Sequence, residues 1–313
     1  LESRIERLKG MVFLSEIGSY YDKTERLKEL AGGIAKSLGF EGLAADAERA
    51  AWLSKADLAT QMVFEFPELQ GIMGKYYASL AGEKEEVAQA IEEQYMPNSR
   101  AGDLPETVTG SMLSIADKTD TISACFMAGL IPTGASDPYA LRRQAIGIIN
   151  IVLEKDFALD PEALFRAGIR AIESRAAGKF AGKEESTLVD ILDFVRERFR
   201  NLMIADGFPQ DVVDAVLSAG FGDIVETKRK IEALAEFRSA PDFESLGIAL
   251  KRVVNIVKGQ EGGGVNESLF AEPVEKELFS SLKSARSGAG ARIAEKDYKG
   301  ALDVMKNLKE PVD

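Results

Sequence analysis

The sequence predicts an all-α protein. Three observations carry that reading. Apolar residues recur at three- and four-residue spacing over several long segments. Glycine or proline closes those segments. No alternating run with hairpin chemistry between its arms persists along the chain.

Taken in chain order, the first break is a loop over residues 102–105, which follows Met96-Pro97-Asn98. After Asp137-Pro138, the positions Leu141, Ala145, Ile148, Ile149, Val152 and Leu153 mark an amphipathic helix. Residues 178–185 form a polar connector. From Thr187 the apolar set Leu188, Ile191, Leu192, Val195, Phe199, Leu202 and Met203 repeats one helix face over four turns. Arg196, Arg198 and Arg200 fall among its polar positions, and Gly207 then Pro209 close it. A third helix begins near Glu244, with Leu246, Leu250, Val253, Val254 and Val257 on its apolar face, and ends at Gly259. Residues 260–264, Gln-Glu-Gly-Gly-Gly, read as a flexible turn. They lack the Gly-Lys-Ser/Thr ending of a phosphate loop.

Composition narrows the function classes. The 313 residues suffice for two ordinary domains, or for one large domain with an appendage. There is no histidine, which removes Ser-His-Asp and Cys-His chemistry, the common zinc sites and the usual neutral-pH proton shuttle. A carboxylate-only magnesium site has no clear signature. The lone Cys125 lies in an apolar run and reads as a small buried hydrophobe, with no internal disulfide and a reducing cytoplasm as its setting. No run of eighteen apolar residues and no basic-then-apolar leader is present, so neither membrane nor export is expected. The formal charge of −12 means that the chain as a whole does not attract nucleic acid; any RNA contact must use local basic patches. The chain begins at Leu1, not Met, and is expected to be a fragment.

Two resemblances bear on function. The stretch Arg49-Ala50-Ala51-Trp52-Leu53-Ser54-Lys55 resembles the helix of HD-superfamily phosphohydrolases that ends in Leu-His-Asp. That fold holds a divalent metal with two histidines and two aspartates. Aligned on Ala51 to Leu53, the His-Asp pair falls on Ser54 and Lys55. Lys23, in Tyr21-Asp22-Lys23-Thr24-Glu25-Arg26-Leu27, stands near the first expected histidine. Asp117, in Leu113-Ser114-Ile115-Ala116-Asp117-Lys118, keeps the last aspartate. One ligand of four implies a degenerate site that holds no metal. A metal-dependent HD phosphohydrolase is therefore the disfavoured rival reading.

A closer resemblance covers the chain from Leu1 to its end. The run from Lys55-Ala56-Asp57-Leu58 to Phe64-Glu65-Phe66-Pro67-Glu68-Leu69-Gln70-Gly71-Ile72-Met73-Gly74 is similar to the beta subunits of bacterial heterotetrameric glycyl-tRNA synthetases. So are Ile115-Ala116-Asp117-Lys118-Thr119-Asp120-Thr121, Pro132-Thr133-Gly134 and Asp137-Pro138-Tyr139-Ala140-Leu141-Arg142-Arg143-Gln144. Gln94 stands where many relatives carry histidine. The resemblance implies a degenerate HD-like helical domain over residues 1–155, a helical extension over 156–222, and an anticodon-binding-type helical domain over 223–313, incomplete at its C-terminus. It implies the C-terminal part of the subunit, without its N-terminal half. The expected partners are tRNA-Gly and the alpha subunit. Glycine activation with ATP and magnesium belongs to that alpha subunit, and this part is expected to use no cofactor and to carry no catalytic residue.

Candidate tRNA contacts follow from charge and placement. Arg142 and Arg143 open a helix beside Tyr139, where a helix N-terminus adds attraction for anions. The alternative is that one of them pairs with Asp117, Asp120 or Asp137. Lys251, Asn255 and Lys258 form a polar stripe flanked by Arg252, which suits an RNA stem or loop and equally an ordinary solvated face. Lys228, Arg229 and Lys230 read as solvated surface. Glu65 and Glu68 lie beside Phe64, Phe66 and Pro67 with no catalytic partner, and read as part of a structural turn.

Overall fold

Sixteen α-helices, five short 3-10 helices and one small hairpin make up the regular structure among the described residues of this computed structural model, which are 1–99, 102–176, 178–240, 243–258 and 263–312. The protein is all-α. The hairpin pairs β1 (Val12–Leu14) with β2 (Gly18–Ser19) and is too short to show an alternating pattern in sequence. The chain folds as two compact units, residues 1–202 with 221–225, and residues 203–220 with 226–313.

The first unit is built around one buried helix. α1 (Tyr20–Ser37) starts at a capping box, in which Ser19 Oγ accepts from Asp22 N at 3.2 Å and Asp22 Oδ2 accepts from Ser19 N at 2.8 Å. It is followed by α2 (Ala44–Leu53), α3 (Ile72–Leu80), α4 (Glu85–Glu93) and α5 (Val108–Met127). Then come α6 (Leu141–Glu154), α7 (Pro161–Glu173) and α8 (Glu184–Ala205). In α5 only Val108 and Asp117 escape full burial. Its sequence has small and hydroxyl residues on every side and no polar stripe, so α1, α2, α4, α6 and α7 can all pack against it. Several hydroxyls turn back onto the helix itself: Ser111 Oγ donates to Thr107 O at 2.8 Å and Thr121 Oγ1 to Asp117 O at 2.8 Å.

The start of α5 is pinned by a buried carboxylate. Glu93, at the end of α4, accepts from Thr107 Oγ1 at 2.5 Å, Thr107 N at 3.2 Å and Glu106 N at 3.1 Å. Thr107 Oγ1 in turn caps Gly110 N at 2.9 Å. A Cβ on Gly110 would stand 1.9 Å from Glu93 Oε2, so only glycine lets α4 and α5 approach this closely. The apolar faces read from sequence on α6 and α8 are packed inward: Leu141, Ala145, Ile148, Ile149 and Val152 are buried, as are Leu188, Ile191, Val195 and Phe199.

The second unit contains α9 (Gln210–Ala219), α10 (Ile224–Arg238), α11 (Phe243–Val257), α12 (Pro273–Ala294) and α13 (Tyr298–Lys306). Asp297 caps α13 at Gly300 N, 2.8 Å away, and the Tyr298 hydroxyl donates to Glu226 on α10. Small residues let α12 and α13 meet closely, with Ala285, Ala289 and Ala301 buried. α11 is the helix expected from near Glu244, and its apolar face is partly open. Val253, Val254 and Val257 are 37%, 62% and 53% exposed. The side chains of Leu246 and Leu250, and residues 260–262 of the expected flexible turn, lie outside the described residues. No helix among the described residues is long and apolar enough to cross a membrane.

Gly110→Ala should displace Glu93 and loosen the α4–α5 junction, at a cost of about 1–3 kcal/mol. The expected readout is a lower urea midpoint with an unchanged denaturant slope. Val189→Ala, at a 56% exposed position, should change stability by less than about 0.5 kcal/mol.

Candidate functional site

Charged side chains from three elements meet at the middle of α5. Lys23 and Arg26 lie one turn apart on α1, Lys55 follows the end of α2 by two residues, and α5 presents Asp117, Lys118 and Asp120. Lys23 Nζ is 3.1 Å from Asp117 Oδ1 and 2.9 Å from Asp120 Oδ2, and donates to Thr121 Oγ1 at 2.9 Å. Lys55 Nζ is 3.0 Å from the same Asp117 oxygen and lies 4.5 Å from the Tyr95 ring centre. Arg26 grips Asp120 with two nitrogens, Nε at 2.5 Å and Nη2 at 3.1 Å. Lys23, Arg26, Lys55 and Asp120 are all buried.

The structure thus brings Lys23, Lys55 and Asp117 together, with Ser54 adjoining them but turned away. The Ser54 hydroxyl donates to Ala51 O at 2.8 Å, and its carbonyl accepts from Gln94 Nε2 at 2.8 Å. Three members of the cluster had no assigned part in the sequence reading: Arg26, Asp120 as its partner, and Lys118. Arg26 and Lys23 share a helix face, but the identity of their common partner, more than ninety positions away, leaves no local signal.

Electrostatics follow from this geometry. Burial works to raise the Asp117 carboxyl, but Lys23, Lys55 and Lys118 outweigh it and hold the group well below the usual carboxylate range. Asp120 is lowered too, with Arg26 and Lys23 overcoming its burial. Lys118 moves the other way. Burial, reinforced by repulsion from Lys55, Lys23 and Arg143 and only partly countered by Asp117, brings its ammonium down to about 7. Its Nζ donates to Met96 O at 2.8 Å, Gln94 O at 3.2 Å and Ser114 Oγ at 2.6 Å. Burial also pushes the Cys125 thiol up to about 12, which keeps it inert.

This donor set does not fit a divalent cation. The oxygen of Asp117 that a metal would need already contacts two ammonium groups, and both carboxyl oxygens of Asp120 are engaged by cations. Among the described residues no three His, Cys, Asp or Glu side chains stand close enough to share an ion.

The neighbouring run of residues 55–74 is half core and half surface. Asp57, which burial raises, accepts from Gly71 N at 2.7 Å through Oδ2. Gly71 has φ +84°, and a Cβ there would stand 2.6 Å from the Tyr95 ring, so the turn requires glycine. Phe64 and Phe66 are 80% and 51% exposed, and Glu65 and Glu68 face solvent beside them, without a catalytic partner.

The candidate RNA contacts fall in both units. Arg143 is exposed on α6 and Arg142 is half-buried beside Arg198 and Asn201. Neither forms an ion pair among the described residues, so the internal tie to Asp117, Asp120 or Asp137 is not made through their side chains. The attraction expected from the helix end is already answered, because Asp137 accepts from Leu141 N at 2.8 Å and Arg142 N at 3.0 Å. In the second unit Lys251, Arg252 and Asn255 on α11, and Lys258 just past its end, are all exposed. Lys228 and Lys230 pair along α10 with Glu232 and Glu226, at 3.3 and 3.4 Å.

Comparison with known proteins agrees with the sequence resemblance. A sequence model of the family described as glycyl-tRNA synthetase beta subunit matches residues 1–218. The glycine–tRNA ligase beta subunit of Geotalea daltonii is 48% identical over 313 residues, covering 100% of this chain and 45% of the relative. Those of Geobacter sulfurreducens and Syntrophus aciditrophicus are 47% and 44% identical over the same span, with the same coverage. The chain therefore spans less than half the length of these relatives.

Asp120→Asn should leave Lys23 and Arg26 buried without a full counter-charge, and destabilise the protein by about 3–5 kcal/mol in urea unfolding. Lys118 gives a separate signature. Its ammonium titrates near 7 when folded and near about 10.4 when unfolded, so between those values the unfolded state binds the extra proton and stability rises with pH. Cys125 opposes this above about 8.5, where only its folded form keeps the proton. From pH 7 to about 8.5, stability should therefore rise by an amount on the order of 1 kcal/mol, and Lys118→Met should lose that rise.

Proposed function

Because the chain belongs to the glycyl-tRNA synthetase beta subunit family, we propose that it is a tRNA-binding and orienting part of glycine–tRNA ligase. It supports ATP-dependent glycylation of tRNA-Gly carried out by an alpha subunit. On this reading ATP and magnesium are used by the alpha subunit, the assembly is a cytoplasmic heterotetramer, and this part contributes binding energy and no reacting group. Residues 1–155 form an HD-like helical domain, residues 156–222 its helical extension, and residues 223–313 belong to an anticodon-binding-type domain.

The observation that carries the reading is the family match along the chain. The geometry supports a binding role over a hydrolytic one. Lysine ammonium groups fill the positions of metal ligands, and a lysine can neither hold a divalent ion nor lower the pKa of water as a metal does. The phosphohydrolase alternative gains nothing from the site. Exposed cations on helices suit the phosphate backbone of RNA, and Arg143 and Lys251 are placed in that way, with Lys258 exposed just beyond a helix end. The net charge of −12 has a use here, since it suppresses indiscriminate binding and leaves attraction to local patches.

The test is binding of this chain to tRNA-Gly and to a non-cognate tRNA across a salt series. Affinity should favour tRNA-Gly and fall as salt rises. Arg143→Gln and Lys251→Gln should each weaken binding and reduce the salt slope by about 1, with thermal stability unchanged. Equal affinity for both tRNAs, unmoved by either substitution, would instead assign the chain a scaffold role.

A further inference from the structure

A cavity of about 260 Å³ opens beside the lysine cluster in the first unit, lined among others by Gln94, Tyr95, Asn98, Asp117, Lys118 and Arg143. Its charge is unbalanced. Asp117 and Asp120 are the carboxylates of the cluster, and Lys23, Arg26 and Lys55 already engage them. Lys118 donates only to neutral acceptors, namely two backbone carbonyls and the Ser114 hydroxyl. Arg143 makes no ion pair among the described residues. With Lys118 in its charged form and Asp57 counted as a third carboxylate, five cations stand against three anions, and the two cations without a carboxylate in contact line the cavity together with Asp117.

Neutral donors stand with them. The Tyr95 hydroxyl accepts from Gln70 Nε2 at 2.7 Å and from Lys55 Nζ at 3.4 Å, which leaves its own proton to give. Asn98 is exposed at the rim with an amide to donate. A positive excess beside a cavity with such donors favours a compact oxyanion over a neutral ligand. The guanidinium fork of Arg143 matches two oxygens of one tetrahedral group, while Lys118, its protons spent on protein acceptors, supplies charge. Pockets that enclose a drug-sized ligand run from about 300 Å³ upward, so this one has room for an oxyanion and some water but not for a whole nucleotide.

We propose that this cavity is a binding site for a single phosphoryl group, gripped by Arg143 with Tyr95 and Asn98 and balanced by the charge of Lys118. The inference goes beyond tRNA binding, since a free phosphate would occupy the site without any RNA. The group comes either from a small phosphate ester or from one phosphate of an RNA backbone.

The experiment is calorimetric titration of the chain with inorganic phosphate at fixed ionic strength, with chloride as the balancing anion. Saturable one-to-one binding is expected, with a Kd of about 1 mM or tighter. Arg143→Gln, an exposed substitution that should leave folding intact, should weaken it about tenfold, as should Lys118→Met. Arg196→Gln, at an exposed arginine paired with Asp193, should leave it unchanged. A second arm adds phosphate to a complex with tRNA. Displacement that Arg143→Gln abolishes assigns the group to the RNA backbone, and phosphate binding without displacement assigns it to a small ester. No saturable binding below about 10 mM, or binding unaltered in Arg143→Gln, overturns the proposal. Phosphate binding by a chain that binds no tRNA would overturn the RNA-binding reading alone.

Discussion

Two carboxylates on one buried helix, Asp117 and Asp120, set the terms for the first unit. Removing an ionised group from water costs several kcal/mol unless a counter-charge and hydrogen bonds come with it. Here the counter-charges arrive from other elements: Lys23 and Arg26 from α1, and Lys55 from just beyond α2. Apolar contacts between these helices could slide by a fraction of a turn at modest cost. A two-nitrogen grip of Arg26 on Asp120 could not, because both bonds depend on angle as well as distance. The network therefore ties α1, the end of α2 and α5 into one relative placement, and hydrophobic burial supplies most of the stability around it.

From that centre the polar interior extends in both directions. Lys118, next along α5, holds the carbonyls of Gln94 and Met96, and so fixes the chain that leaves α4. Gln94 reaches back to Ser54 O, and Glu93 receives the two residues that lead into α5. Tyr95 then packs against the glycine turn that Asp57 accepts from. Residues 55–74 are held from inside by these contacts. Their outward face, with Phe64 and Phe66, is consequently presented on a fixed support and does not collapse onto the core.

How much of this could be read from sequence depended on whether a residue's partner was local. The faces of α6 and α8 were legible because Leu141 to Val152 and Leu188 to Phe199 repeat at helical spacing and are packed on one side. α5 was legible only through the motif around Asp117. Its buried Ser111, Ser114, Thr119 and Ser123 look polar, yet they are small enough to lie between neighbours; a Cβ on Gly168 of α7 would stand 2.6 Å from Ser123 Oγ. The pairing of Arg26 with Asp120 joins residues 94 apart, and no periodicity encodes it. On α11 the pattern was read correctly as amphipathic, but amphipathicity names a face and not what covers it. Val253, Val254 and Val257 are accordingly on an apolar face, yet exposed. At Arg142 the sequence shows Asp137 nearby but not that its carboxylate turns to the backbone, where it accepts from the first N–H groups of α6.

The lysines at Lys23 and Lys55 carry the last step. A divalent ion held between carboxylates neutralises them and activates water in one act, so structure and catalysis share the same charge. An ammonium group does only the first. It is covalently attached, needs no free ion, and balances Asp117 at 3.0 to 3.1 Å from two directions. It is also small in charge and fully committed to its partners, which leaves no open coordination position for a substrate oxygen. On the HD-like reading, exchanging ligands for lysines keeps the electrostatic glue of such a fold while removing its reaction. What survives is a helical body with surplus positive charge beside one cavity, a feature useful for holding an anionic partner in place while chemistry proceeds elsewhere.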